Sequence, residues 1–297
     1  MQSCSRGLRE LCRLLGYSRQ AYYQQQKASA TRALKEDLVI RQVLRHRRLQ
    51  PRLGGRKLLE MMEPFMRDHD IDMGRDLLFD LLRNNDLLIR RRKRSKPLTT
   101  DSGHWMKKYP DLTRNLALNR PDELWVSDIT YLQLSENKFG YLSLVTDAYS
   151  RKIVGFCLNH DLSADGPIGA LKMALKSRIG AAPLTHHSDR GSQYCSDAYV
   201  NLLRQHAIAI SMTQSGNPRD NAIAERVNGI LKQELLKEIY PYLRQASRAV
   251  KSAVRIYNKI RPHSSLDMMT PEKAHTLTGL IRRRWKFRTF KQKQEVS

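Results

Sequence analysis

The chain has 297 residues, with 53 Lys plus Arg against 29 Asp plus Glu and a net charge of +24. That length suffices for two or three small domains, and the charge points to a polyanionic partner, nucleic acid before membrane. Four cysteines with no Cys-x-x-Cys or Cys/His ligand spacing exclude a zinc framework, and no apolar run has the length of a membrane span, so the expectation is a soluble cytoplasmic protein with free thiols and no membrane partner.

The charge is unevenly spread. Residues 1–120 hold 27 basic and 13 acidic side chains, residues 121–260 hold 17 and 13, and residues 261–297 hold 9 and 3. The ends read as DNA-gripping flanks around a more balanced middle. In chain order, Leu8–Leu15 has helical apolar spacing and Gly16 breaks it. Ser18 is placed to N-cap a second helix through Arg19–Tyr23. Helix, glycine turn, helix is a helix-turn-helix pattern or an ordinary helical hairpin; in the first reading Arg19 and Gln20 would meet base edges. Ala33–Arg48 reads as a separate helix with Leu34, Leu38, Val43 and Leu44 as its apolar stripe. Arg56–Arg67 is another, kinked or stopped by Pro64, and Gly74–Asn84 a further one. Arg90–Pro97, with six basic residues in eight, is a basic linker along phosphates or a charged tether.

After Pro121 the composition changes. Leu124–Leu134 reads as a strand, Phe139–Thr146 and Lys152–Leu158 as two more, joined by short turns into an antiparallel meander. Then come a helix at Ala164–Ile179, a strand at Pro183–Ser188, a helix capped by Asp197, and a strand at Ile208–Met212. Long helices at Asp220–Leu236, with Asp220 as N-cap, and Tyr242–Ile260 complete the pattern. Three antiparallel strands followed by alternating helix and strand give a mixed five-stranded α/β sheet of ribonuclease H-like type. The expected divisions are 1–28 (helix-turn-helix-like), 29–89 (second helical DNA-binding unit), 90–120 (linker), 121–276 (core) and 277–297 (basic tail). The tail interleaves Arg and Lys with Trp285, Phe287 and Phe290, to grip DNA or to remain an unstructured end.

Three carboxylates stand out. Asp128 shares one face of its strand with Leu124, Val126, Thr130, Leu132 and Leu134, a costly place for a lone charge. It is either a satisfied structural Asp or a functional one. Asp189 ends the fourth strand beside Gly191, on the edge where α/β sheets place chemistry. Glu225 lies off the Ile223, Val227, Ile230, Leu231 stripe of its helix, flanked by Asn228, Gly229 and Lys232. Asp147 near Arg151 reads as structural, and His186 and His187 as strand histidines without metal-ligand spacing.

Sixty residues separate Asp128 from Asp189, and 35 separate Asp189 from Glu225. This spacing resembles that of bacterial insertion-sequence DDE transposases with a retroviral-integrase-like core. So do the words Trp125–Tyr131, His187–Tyr194, Asp220–Arg226 and Tyr257–His263. More narrowly, the chain resembles the second-frame protein of elements read from two overlapping frames. The resemblance implies a polynucleotidyl transferase that cleaves 3′ ends and transfers strands, with Asp128, Asp189 and Glu225 as catalytic metal ligands. It implies two Mg²⁺ ions, replaceable by Mn²⁺, and hard oxygen donors suit such ions. The implied partners are double-stranded DNA (terminal repeats and target), further copies of the chain on DNA, and an upstream-frame DNA-binding partner or fusion, with nucleoid association in a bacterium. Candidate DNA contacts are Arg19, Gln20, Arg56, Lys57, Arg91, Arg92, Arg190, Asn228 and Lys232. The rival expectation is a DNA-binding regulator whose integrase-like core is inactive.

Overall fold

The computed structural model describes residues 4–89, 104–114, 116–135, 138–178, 180, 182–214 and 221–282. The expectations for Arg90–Pro97, including Arg91 and Arg92, for Asp220 as a cap and for the tail beyond Arg282 lie outside the described residues. The chain divides into two compact units, 1–90 and 91–297.

The first unit is all helical: α1 (Cys4–Leu14), α2 (Arg19–Leu49), α3 (Gly55–Asp68) and α4 (Arg75–Asn84). The glycine turn forms as expected. Gly16 has φ +71°, and Ser18 accepts from the Ala21 amide at 3.0 Å as the N-cap of α2. The two helices expected at Arg19–Tyr23 and Ala33–Arg48 are instead one. Residues 24–33 contain no Gly or Pro, so nothing interrupts the backbone ladder, and the boundary expected between 28 and 29 falls inside α2.

The buried positions of α2 also differ. Val39 and Val43 are fully buried against Leu58, Met62, Leu78 and Leu82, whereas Leu34, Leu38 and Leu44 of the expected stripe are exposed. The reason is that α3 and α4 meet α2 along its Val39–Val43 side. Pro64 does not stop α3, which runs on to Asp68. Met62 and Met66 are buried on either side of it, and their packing offsets the hydrogen bond that proline removes.

The second unit is a mixed sheet. Its strands are β1 (Leu124–Leu134), β2 (Phe139–Asp147), β3 (Ile153–Asn159), β4 (Thr185–Ser188) and β5 (Ala209–Met212), in spatial order β3-β2-β1-β4-β5. The first three are antiparallel; β4 and β5 join in parallel, as expected from the crossovers. A sixth, two-residue strand, β6 (Ile239–Tyr240), pairs with the end of β1 and is too short to show a periodicity of its own.

Helices α5 (Asp165–Ser177), α6 (Ser192–Cys195) and α7 (Asp197–Gln205) cover one face. Helices α8 (Ala222–Ile230) and α9 (Leu243–Lys259) cover the other, and α10 (Pro271–Ala274) follows. Ser196, not Asp197, is the residue before α7; Asp197 sits in its first turn. Strand β1 is central because alternate residues feed both cores: Trp125 joins the α5/α7 side and Leu132 and Leu134 the α8/α9 side.

The expected uninterrupted helix Asp220–Leu236 is also corrected. After α8 the chain widens into a π-turn, Leu231–Leu235, closed by the Leu236 amide donating to the Leu231 carbonyl at 2.8 Å. Asn258 seals the start of β3 by accepting from the Ile153 amide (3.0 Å) and donating to its carbonyl (2.9 Å).

Gly155 of β3 lies tight under α5. A Cβ there would stand 2.0 Å from the Ala170 carbonyl oxygen and 2.9 Å from the Ala174 nitrogen. Backbone cannot yield as a side chain does. Gly155→Ala is therefore expected to cost at least the roughly 1–3 kcal/mol of an overpacked core, read as a lower urea midpoint. An unchanged midpoint would show that α5 moves freely on β3.

Candidate active site

Asp128 stands at the middle of β1, opposite Leu144 of β2. Its Oδ1 accepts from the Ile129 amide at 2.9 Å and its Oδ2 from the Asn228 side-chain amide of α8 at 2.8 Å. Strand β4 pairs with β1 in parallel, Val126 beside His187. Two residues further along each chain are Asp128 and Asp189, so the register carries the second carboxylate to the first. Asp189 leaves the sheet there and its Oδ1 accepts from the Gly191 amide at 3.0 Å, which turns the chain into α6. Glu225 lies in the first turn of α8, exposed, with Ala224 and Val227 buried beside it.

Asp128 feels both of the other carboxylates. The Asp128 carboxyl is pushed up to about 7, first by burial and then by the charges of Asp189 and Glu225; the Asn228 and Ile129 donors oppose the rise. Among the described residues no group of three or more His, Cys, Asp or Glu is gathered as closely as metal ligands are. The donor set is nonetheless chemically suited to a hard divalent cation: three carboxylates within electrostatic reach, one of them held near neutrality by burial and by the other two.

Helix α8 lies along β1 through a line of polar side chains. Asn221 donates to the Ser127 carbonyl (2.8 Å), Asn228 to Asp128, and Lys232 to Thr130 Oγ1 (3.3 Å). The Lys232 ammonium also sits 4.7 Å from the centre of the Tyr131 ring, and burial lowers its pKa while the Asp128 charge works the other way. The sequence pattern turns the face bearing Asn228 away from the sheet; in the structure Asn228 is buried on Asp128. Asn221 is a site residue that the sequence reading does not single out. Its signal is the spacing Asn221, Glu225, Asn228, Lys232, one helical stripe opposite the apolar one.

The π-turn has its own anchor. Arg261, 2% exposed, makes two 2.8 Å hydrogen bonds to the Glu234 carboxylate. A widened turn shifts the register of the residues it contains, and this one contains Lys232.

Other expected DNA contacts divide differently. Arg19, Gln20 and Arg56 are exposed and Lys57 is half-buried, all in the first unit. Arg190 is engaged within the second, its Nε donating to the Thr213 carbonyl at 2.6 Å and its Nη2 to Gln214 at 3.2 Å. Asp147 is structural. Fully buried, it accepts from the Ser150 amide (2.7 Å) and the Asp122 amide (2.8 Å), and His275 Nδ1 lies 3.7 Å from it. His186 is pushed down to about 3, chiefly by burial and then by His187, with its Nε2 between Ser127 Oγ (2.8 Å) and the Tyr199 hydroxyl (2.9 Å). It is a neutral strand histidine. His187 Nδ1 lies 2.8 Å from Ser211 Oγ.

Comparison with known proteins gives the following. Two family models, each described as an integrase core domain, match residues 119–218 and 206–271. The chain is 32% identical over 279 residues to an insertion element IS600 uncharacterized 31 kDa protein of Shigella sonnei, covering 91% of this chain and all of that one. It is 32% identical over 177 residues to a transposase for insertion sequence element IS904 of Lactococcus lactis, covering 57% of this chain and 70% of that one. Among solved structures, the HTLV-2 integrase catalytic core domain aligns at 20% identity and TM-score 0.44, over 54% of this chain and 99% of that one.

The raised Asp128 pKa has a stability consequence whose sign is fixed. Between about pH 4 and 7 the folded chain keeps a proton on Asp128 that the unfolded chain has released. Wild-type stability contributed by this group therefore falls as pH rises across that window and is level above it. In EDTA, Asp128→Asn, which never ionises, is expected to gain thermal midpoint over the wild type at pH 8 and to show a much smaller difference at pH 4. An equal difference at both pH values would mean that Asp128 titrates normally.

Proposed function

This chain belongs to the bacterial insertion-sequence transposases that carry an integrase core domain, and on that premise we propose that it cleaves the 3′ ends of an insertion sequence and joins them to target DNA by divalent-metal-dependent phosphoryl transfer. Asp128, Asp189 and Glu225 are the catalytic carboxylates in this reading. The supporting observation is the Asp128 carboxyl raised to about 7 by burial and by the charges of the other two. Two aspartates on adjacent strands of a rigid parallel pair, one of them raised by the other and by a glutamate on α8, are poor as a structural device and well suited to sharing cations.

Mg²⁺ held by these three residues, or Mn²⁺ in its place, would supply Lewis-acid activation of water or of a DNA 3′-OH and stabilisation of the leaving oxygen. The chain's own groups supply the positioning. Strand β1 holds Asp128 against motion because both of its faces are packed, and the Asn228 amide orients the carboxylate by its bond to Oδ2. The Gly191 amide does the same for Asp189. Lys232 is available to a phosphate by exchanging its long bond to Thr130 for an anion, and its partly buried stem limits where that phosphate can lie. The DNA is double-stranded, the element's terminal repeats as donor and a second duplex as target, and the reading includes assembly of several copies on it.

The test is strand cleavage and joining of a duplex carrying the element's own terminal sequence, with and without Mg²⁺. Asp128→Asn, Asp189→Asn and Glu225→Gln are each expected to reduce both steps by about a thousandfold or more while leaving DNA binding intact. Activity retained in Asp128→Asn removes the assignment. A wild type that binds the ends with Mg²⁺ and neither cuts nor joins them favours the regulator with an inactive core.

A further inference from the structure

Helix α9 concentrates charge that the average over residues 121–260 conceals. Its 17 residues include Arg244, Arg248, Lys251, Arg255 and Lys259, and no Asp or Glu. All five are exposed. At about 100° per residue they fall within a sector of roughly 80°, and at 1.5 Å per residue they form a line about 22 Å long. Lys259 lies 3.9 Å from Glu272; among the described residues the other four have no acidic partner. Like charges three and four positions apart repel along the whole helix, a cost that an extended polyanion removes.

The opposite face of α9 is occupied. Ala246, Val250, Ala253, Val254 and Tyr257 are buried with β1, β2 and β3 in the sheet's core. A helix that lies on a membrane needs a free apolar face, and this one has none to offer. A line of this length also exceeds any small anion. Helices α9 and α8 cover the same face of the sheet, and Arg261, two residues beyond α9, is bonded to Glu234 in the turn that follows α8. The stripe and Glu225 are thus carried by tied elements of one unit.

We infer that the outer face of α9 is a docking surface for the sugar–phosphate backbone of duplex DNA, holding a segment that extends from the candidate active site. This rests on the transposase reading for the choice of DNA as polyanion. It adds a surface that the basic ends of the chain do not account for, and it grips phosphates, so it carries no sequence preference.

The test uses the full chain without metal ions and a duplex of arbitrary sequence longer than the stripe. Binding is measured over a salt series for the wild type, for the variant combining Arg244→Gln, Arg248→Gln, Lys251→Gln and Arg255→Gln, and for a control combining Lys172→Gln and Lys176→Gln on α5. The fourfold variant is expected to keep its circular dichroism and thermal midpoint, and to flatten the slope of log K against log salt by about 3 to 4, close to 0.9 for each phosphate that the protein no longer neutralises. The control is expected to change neither. If the fourfold variant does not fold, Arg248→Gln and Arg255→Gln singly are each expected to flatten the slope by about 1. A stripe variant with the wild-type slope and affinity overturns the inference, as does stripe-dependent binding to anionic lipid vesicles with none to DNA. A wild type that binds steeply yet never cuts its cognate ends overturns the reaction and leaves the surface standing.

Discussion

The Asn228 amide reaches across from α8 to Asp128 of β1 at 2.8 Å, and much of the second unit is arranged so that this bond can exist. A carboxylate on a strand packed on both faces is unfavourable by itself. It is tolerated here because one oxygen takes a backbone amide, the other takes Asn228, and the remaining cost is expressed as a raised pKa. The core around it is apolar enough to fix β1 in place, and that rigidity is what the proposed phosphoryl transfer would ask of a metal ligand there.

The helices on that side of the sheet are organised to the same end. Asn221, Asn228 and Lys232 bind β1 at Ser127, Asp128 and Thr130, so α8 cannot slide without breaking three polar contacts. Glu225 rides on the same helix, and its position is set by those contacts. The π-turn and its buried Arg261–Glu234 pair extend the control to Lys232. Removing one member of such a pair strands a charge in the interior, which explains why the Tyr257–His263 word contributes to a site it does not enter.

Strand β1 is legible to the residue, Leu124–Leu134, because an unbroken β-branched and aromatic run between turn residues has only one reading. The antiparallel meander and the parallel crossovers follow from connection lengths. Where the structure departs from the sequence pattern, the causes are physical. Strand β6 is too short to carry a pattern and exists only through its partner. The π-turn is anchored by Arg261, 27 residues along the chain from its partner Glu234. Leucines at helical spacing suggest a core stripe on α2, but the helix has its packing partners on the Val39–Val43 side. The polarity of the α8 face bearing Asn228 suggests exposure; that face is polar because β1 offers polar groups opposite it.

What the sequence determined alone is the five main strands in order and the three acids as candidates, since strand periodicity and residue spacing are local properties. The tertiary structure decided which groups the acids meet. Register between β1 and β4 brings Asp189 beside Asp128, and the crossing of α8 makes Asn228 the donor that holds Asp128. The packing of α9's apolar side into the core turns five scattered basic residues into one outward stripe. These are relations between segments far apart in the chain. They depend on which faces are buried, and burial is a property of the assembled core rather than of any one segment.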